Sequence, residues 1–101
     1  MISFPAWVTG PRKKRALTDA DRAALASRRL RFLVMRAAVE KTEAGSIASL
    51  SDFCGVTRTD VHAAIRTGHF STRLASKIES ACGRELIRRD WLVFPCDIED
   101  Q

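Results

Sequence analysis

Residues 54–68 read CGVTRTDVHAAIRTG, and the parsing of this stretch decides the fold. A single glycine interrupts an apolar pattern, a hydroxyl residue restarts the chain, and a short helix follows whose outward side carries threonine, alanine, histidine and arginine. Upstream, Ser46 is placed to cap a helix over 47–54. At 100° per residue Ile47, Leu50, Ser51 and Cys54 share one side, which leaves Ala48, Ser49 and Asp52 toward solvent or a ligand. Gly55 ends that helix in the left-handed conformation that side chains resist. Val56 then turns inward, and Thr57 with Asp60 three residues on has the spacing of a capping box. The next helix, about 58–66, buries Val61, Ala64 and Ile65. Thr59, Ala63 and Arg66 point the opposite way, His62 lies on the flank, Arg58 stands at the N-terminal tip, and Gly68 closes the helix.

Two short helices joined by a glycine-containing turn with an inward valine make a helix-turn-helix pattern, here over 47–66. Small Ser51 permits a close crossing, and Val56 and Val61 hold it. Short side chains on the second helix suit a major groove about 12 Å wide.

The flanks extend the helical reading. Thr18 and Asp21 form another capping pair, so a helix starts at about Asp19; neither proline nor glycine intervenes before Gly45, and one helix or two bent near Ser27 both fit 19–43. Within it FLVMRAAV, residues 32–39, is apolar around most of its circumference, so a second surface must cover it. A dimer partner is one candidate; the N-terminal lead folding back with Trp7 is the other. Ser71 or Thr72 caps a further helix to about Cys82, and RELIRRDWLVFP runs on to complete the core. The expected organisation is an apolar and basic N-terminal arm (1–17), a compact all-α domain of four or five helices (18–95) and a loose acidic tail (96–101).

At 101 residues with 46% apolar composition the chain has room for one core. Seventeen Lys and Arg against 12 Asp and Glu give a net charge of +5, and the excess is uneven: +6 over residues 1–45, +2 over 46–92 and −3 over 93–101. Clustered arginine with a pI near 9.7 points to a polyanion, nucleic acid before membrane. Three cysteines without a C-x-x-C spacing suggest neither a disulfide framework nor a zinc site, and they read as small hydrophobes in a reducing cytoplasm. No apolar run approaches the roughly 18 residues of a membrane span. MISFPAWV is too short for an export signal and its basic residues follow the apolar part, so a cytoplasmic, nucleoid-associated protein is expected.

LSDFCGVTRTDVHAAI, residues 50–65, resembles the helix-turn-helix of the phage Cro and lambda-type repressors, whose usual pattern reads Leu-Ala-x-x-Leu-Gly-Val-Ser-x-x-x-Val. RLASKIESACGRELIRRDWL, residues 73–92, is similar to the ending of small prophage Cro-like, YdaS-like regulators, so the likeness covers roughly 30–95. RKKRALTDAD, residues 12–21, more weakly resembles the basic arm of the lambda repressor. Ser51, Cys54 and Ala64 depart from the family's Ala, Leu and larger apolar residue, and each thins the core slightly.

The resemblance implies a lambda-repressor-like domain of phage or prophage type that binds double-stranded operator DNA as a homodimer. It assigns Arg58 to a guanine, Thr59 to a thymine methyl or a hydrogen bond, and Ala63 to a methyl group, with His62 and Arg66 on the groove wall or phosphate. Ser46 and Ser49, at a helix N-terminus, seat a phosphate or only cap; Thr57 has the same two readings. His69 follows where relatives touch the backbone, and Arg12, Lys13, Lys14 and Arg15 add phosphate contacts or remain a solvated tail. Arg28, Arg29, Arg31 and Arg36 read as ordinary helix-surface charges, and Trp7 and Trp91 as packing residues. No catalytic grouping, cofactor loop or metal motif is visible, so no enzyme, cofactor or metal is expected. The rival is an antitoxin or antirepressor that keeps the fold but holds a protein partner through FPAWV and the basic arm.

Overall fold

The longest helix follows from a strong start and an uninterrupted run. In the computed structural model, which describes residues 2–10 and 16–99, Thr18 Oγ1 accepts from the Asp21 amide at 3.1 Å, and Asp21 Oδ2 accepts from the Thr18 amide at 3.1 Å. From this cap α2 (Asp19–Lys41) runs unbroken for 23 residues, so the alternative of two bent helices does not arise. It ends two residues before the expected position. Thr42 adopts extended backbone, donates its hydroxyl back to Ala38 O at 2.7 Å and accepts from the Gly45 amide at 3.0 Å, which turns the chain early.

Around α2 lie α1 (Ala6–Thr9), α3 (Ile47–Cys54), α4 (Arg58–Thr67), α5 (Thr72–Cys82), α6 (Arg89–Val93) and a 3-10 turn (Pro95–Asp97). The fold is all-α, with no strand among the described residues. Among the described residues five α-helices, α2 to α6, lie within 18–95, where four or five were expected, and the apolar lead winds a further short one, α1. A radius of gyration of 13.1 Å matches the roughly 13 Å of a compact chain this long.

One apolar cluster holds the elements together. Leu30, Leu33, Val34, Ala37 and Ala38 of α2 are fully buried, as are Val8, Phe70, Ala75, Ile87 and Leu92. A leucine or valine moved from water into such a site contributes roughly 1.5–3 kcal/mol before entropy is charged against it. α1, α3, α4 and the 3-10 turn all pack on α2, while α5 packs on α3 and α6.

The described segments at the two ends, residues 2–10 and 94–99, are tied in. Ile2, Phe4 and Val8 are buried, with the Phe4 ring 5.6 Å and the Trp7 ring 6.3 Å from Phe32. Of the two candidate covers for the apolar part of α2, the lead therefore supplies one; Met35 and Val39 remain exposed. At the other end Pro95 and Ile98 are buried, and Cys96 Sγ donates to Arg22 O at 3.4 Å.

The arginines of α2 do this tying, which corrects their reading as plain surface charges. Arg29 is only 7% exposed; its Nη1 donates to Pro95 O and to Ile98 O, both at 2.9 Å, and its guanidinium lies 4.8 Å from the Phe4 ring centroid. Arg28 Nε donates to Val8 O at 2.8 Å, and Arg36 Nη2 to Leu86 O at 2.6 Å. Arg31 alone of the four keeps an exposed side. The cause is chemical: irregular segments present carbonyls with no ladder partner, and a guanidinium supplies several donors on a stem that tolerates apolar surroundings.

Two substitutions test this description. Arg29→Ala should lower unfolding stability by about 2–4 kcal/mol in urea, since two charge-assisted hydrogen bonds vanish and their carbonyls lose their donor. Gly55 has φ +71° with open space where a Cβ would stand, whereas at Gly68, φ +93°, a Cβ would meet Ala26 Cβ at 3.3 Å and Ala23 O at 3.5 Å. Gly55→Ala should therefore cost about 1–2 kcal/mol from backbone strain alone. Gly68→Ala should cost more, because α2 must also give way; equal midpoints for the two variants would refute that account.

Candidate nucleic-acid interface

The site grows from a bend closed by local bonds. Ser51 is 1% exposed and donates its hydroxyl to Ile47 O at 2.8 Å, so the small side chain sits inside α3's own turn and leaves room for the neighbouring helix. Gly55, in the left-handed region, ends α3, and the Val56 amide donates to Ser51 O at 3.0 Å. Thr57 then caps α4: its Oγ1 accepts from the Asp60 amide at 3.2 Å, one half of the reciprocal box that the sequence suggests. α4 buries Val61, Ala64 and Ile65 and ends on Gly68, whose amide donates to Ala64 O.

With that face inward, Arg58, Thr59, His62 and Arg66 are all exposed, as are Thr57 and His69. Ala63 differs. It is half-buried at the edge of an open hollow of about 550 Å³ between α4 and α5, whose rim includes Thr57, Asp60, Ser71, Arg73 and Lys77. Arg73 and Lys77 are exposed cations beside the α4 face that the sequence reading passed over. Their spacing of four residues on α5, away from buried Ala75 and Ile78, was the available signal.

Arg58 is engaged within the chain. Its Nη2 lies 2.7 Å from Asp52 Oδ2 and its Nε 3.3 Å from Asp52 Oδ1, a two-pronged pair across the turn. Both side chains are about three-fifths exposed, at 59% and 61%, so the pair adds little to stability but sets where the guanidinium points. The hydrogen bond from Arg58 holds the Asp52 carboxyl below its ordinary range, and Asp52 in turn raises Arg58.

Ser46 and Ser49 form a closed polar knot at the start of α3. Ser46 Oγ accepts from the Ser49 amide at 3.1 Å, Ser49 Oγ accepts from the Ser46 amide at 3.1 Å and donates to Ser46 O at 2.9 Å, and Thr42 Oγ1 lies 2.9 Å from Ser49 Oγ. Ser46 remains exposed while Ser49 is half-buried, so of the two only Ser46 presents an open face. Arg12, Lys13, Lys14 and Arg15 lie outside the described residues.

No group of three or more His, Cys, Asp or Glu side chains that could hold a metal ion occurs among the described residues, and no helix there is long and apolar enough to cross a membrane. Compared with protein families, curated proteins and solved structures, the chain has no significant match in any of the three.

The Asp52–Arg58 pair has a spectroscopic consequence. Asp52 should titrate below the usual aspartate midpoint of about 3.9 when followed by carboxyl NMR, and Arg58→Ala should return it there. Because the folded carboxyl is depressed, whatever the pair contributes is present above the unfolded midpoint and lost as pH falls through the folded one. An Asp52 midpoint indifferent to Arg58→Ala would show that the pair does not persist in solution.

Proposed function

We propose that the chain is a sequence-specific, double-stranded DNA-binding regulator of the helix-turn-helix type, with α3 and α4 as the two helices and α4 as the one that enters the major groove. The observation that carries this reading is the outward edge of α4: Arg58, Thr59, His62 and Arg66 stand exposed on a helix anchored by its opposite face. A helix with side chains is about 10–12 Å across, and a major groove is about 12 Å wide, so such an edge fits only if its residues are not all long. Thr59 and half-buried Ala63 keep it slim.

In this reading Arg58 is the principal base reader, its planar fork matched to guanine O6 and N7. Thr59 and Ala63 meet methyl groups, and His62 and Arg66 lie along the wall of the groove. Ser46, Thr57 and His69 reach phosphate, joined by the basic residues 12–15 and by Arg73 and Lys77 on the neighbouring rim. The resemblance of residues 50–65 and 73–92 to phage Cro-like and lambda-type repressors supports the same assignment and suggests repression by occlusion of a promoter.

One short helix reads too few base pairs for a usable address, so a homodimer on two half-sites about one helical turn apart is part of the proposal. Met35 and Val39 on α2 and Phe94 after α6 are exposed apolar side chains that could supply this contact. The rival protein-interaction reading leans on FPAWV. Phe4 and Val8 are spent on the chain's own core, which leaves half-exposed Trp7 as what that segment can offer a partner.

A footprint on DNA flanking the coding region tests the proposal. A two-fold protected site is expected, with affinity falling steeply as salt rises and well above that for random duplex. Arg58→Ala should weaken that site by about 1–3 kcal/mol while leaving the urea midpoint in place. Binding that is flat in salt and blind to sequence would refute the regulator and favour the protein-interaction module.

A further inference from the structure

Cys54 and Cys82 are 28 residues apart in sequence, yet their sulfurs lie 3.8 Å from each other in hydrogen-bonding contact. Each is the last residue of its helix: Cys54 ends α3 immediately before Gly55, and Cys82 ends α5 immediately before Gly83. The two helices already pack together. A disulfide requires a sulfur separation of about 2.05 Å, so the gap to close is about 1.8 Å.

The pair is reached from two sides. An open hollow of about 520 Å³ is lined by Cys54, Gly55, Ser76, Lys77 and Ser80. A second, of about 380 Å³, is lined by Cys82 together with Lys41, Arg84, Glu40 and Glu85. Cys82 is only 5% exposed, so the reagent that reaches it must be small.

We propose that Cys54 and Cys82 form an oxidisable dithiol that takes a small hydroperoxide and becomes a disulfide joining α3 to α5. Cys82 is the attacking group. The hydrogen bond shared with Cys54 favours its thiolate, burial opposes it, and the ammonium of Lys41, which lines the same hollow, favours it again, while the Cys54 thiol is pushed up. The Cys82 sulfur attacks the terminal peroxide oxygen: an S–O bond forms, the O–O bond breaks, and the departing alkoxide takes up a proton as an alcohol, or as water when the reagent is hydrogen peroxide. Cys54 then gives up its proton and displaces hydroxide from the Cys82 sulfenic acid, forming the S–S bond and water. Two thiols and one hydroperoxide become one disulfide, one alcohol and one water, with two electrons passing from sulfur to oxygen.

The bond would close a loop holding the Gly55 turn, all of α4 and most of α5, so oxidation fixes the turn that leads into α4. Cys96 is the internal control, because its Sγ donates instead to Arg22 O at 3.4 Å. This inference stands apart from the DNA-binding proposal, since its chemistry is read on the sulfurs themselves.

The test treats the full chain with hydrogen peroxide, alkylates the remaining thiols and maps them by mass spectrometry. Expected are loss of two hydrogen atoms, a linked pair of peptides holding Cys54 and Cys82, an alkylated Cys96, and full reversal by a dithiol reductant. Cys54→Ser should leave a Cys82 sulfenic acid that dimedone traps, with helical circular dichroism unchanged; Cys82→Ala should abolish both linkage and trapping. A linkage through Cys96, conversion of Cys82 to sulfinic acid with no linkage, or unreacted thiols after peroxide would each overturn the proposal.

Discussion

Three guanidinium groups on one helix hold this fold closed. α2 is apolar over more of its surface than α3 and α4 cover, and the segments that finish the job, residues 2–10 and 94–99, have too little regular structure to satisfy their own carbonyls. Arg28 bonds the lead at Val8, Arg29 bonds the C-terminal segment at Pro95 and Ile98, and Arg36 bonds the loop at Leu86. Each arginine lays an aliphatic stem along the core edge and spends its head on backbone oxygens. Three of the ten cations in the first 45 residues are thus structural, and net charge alone overstates what is free to meet a polyanion.

That division sharpens the candidate interface. At this face the outward cations are Arg58 and Arg66 on α4, with Arg73 and Lys77 across the hollow on α5. α4 can offer its outer edge because the core takes only Val61, Ala64 and Ile65 from it, and the bend at Gly55 is closed by backbone bonds that need no help from the exposed side chains. Asp52 places a carboxylate beside the foremost of these cations. On an exposed surface it does little for stability, but it points the Arg58 fork before any ligand arrives, and pre-orientation reduces the entropy lost on binding.

Much of the architecture was legible because helix ends are local events. Thr18, Ser46, Thr57 and Ser71 accept from amides three residues on, and the glycines at 55, 68 and 83 stop the helices they follow. The split of α4 into buried and exposed faces was likewise readable from 100° spacing. The end of α2 was missed by two residues, since nothing in the pattern marks that Thr42 will bond back to Ala38. The exposed cations of α5, Arg73 and Lys77, belong to no motif, and only the packing of α5 beside α4 brings them to that face.

Caps, turns and helix faces are set within four or five residues, so sequence by itself determined the all-helical class, the bounds of α3 and, save for half-buried Ala63, the residues that α4 turns outward. Which arginines are buried, whether the apolar lead covers α2, where Arg58 points and that two cysteines meet were decided only in three dimensions. Each of these depends on the separation of groups distant along the chain, from six residues for Asp52 and Arg58 to 69 for Arg29 and Ile98, and no periodicity encodes such a distance.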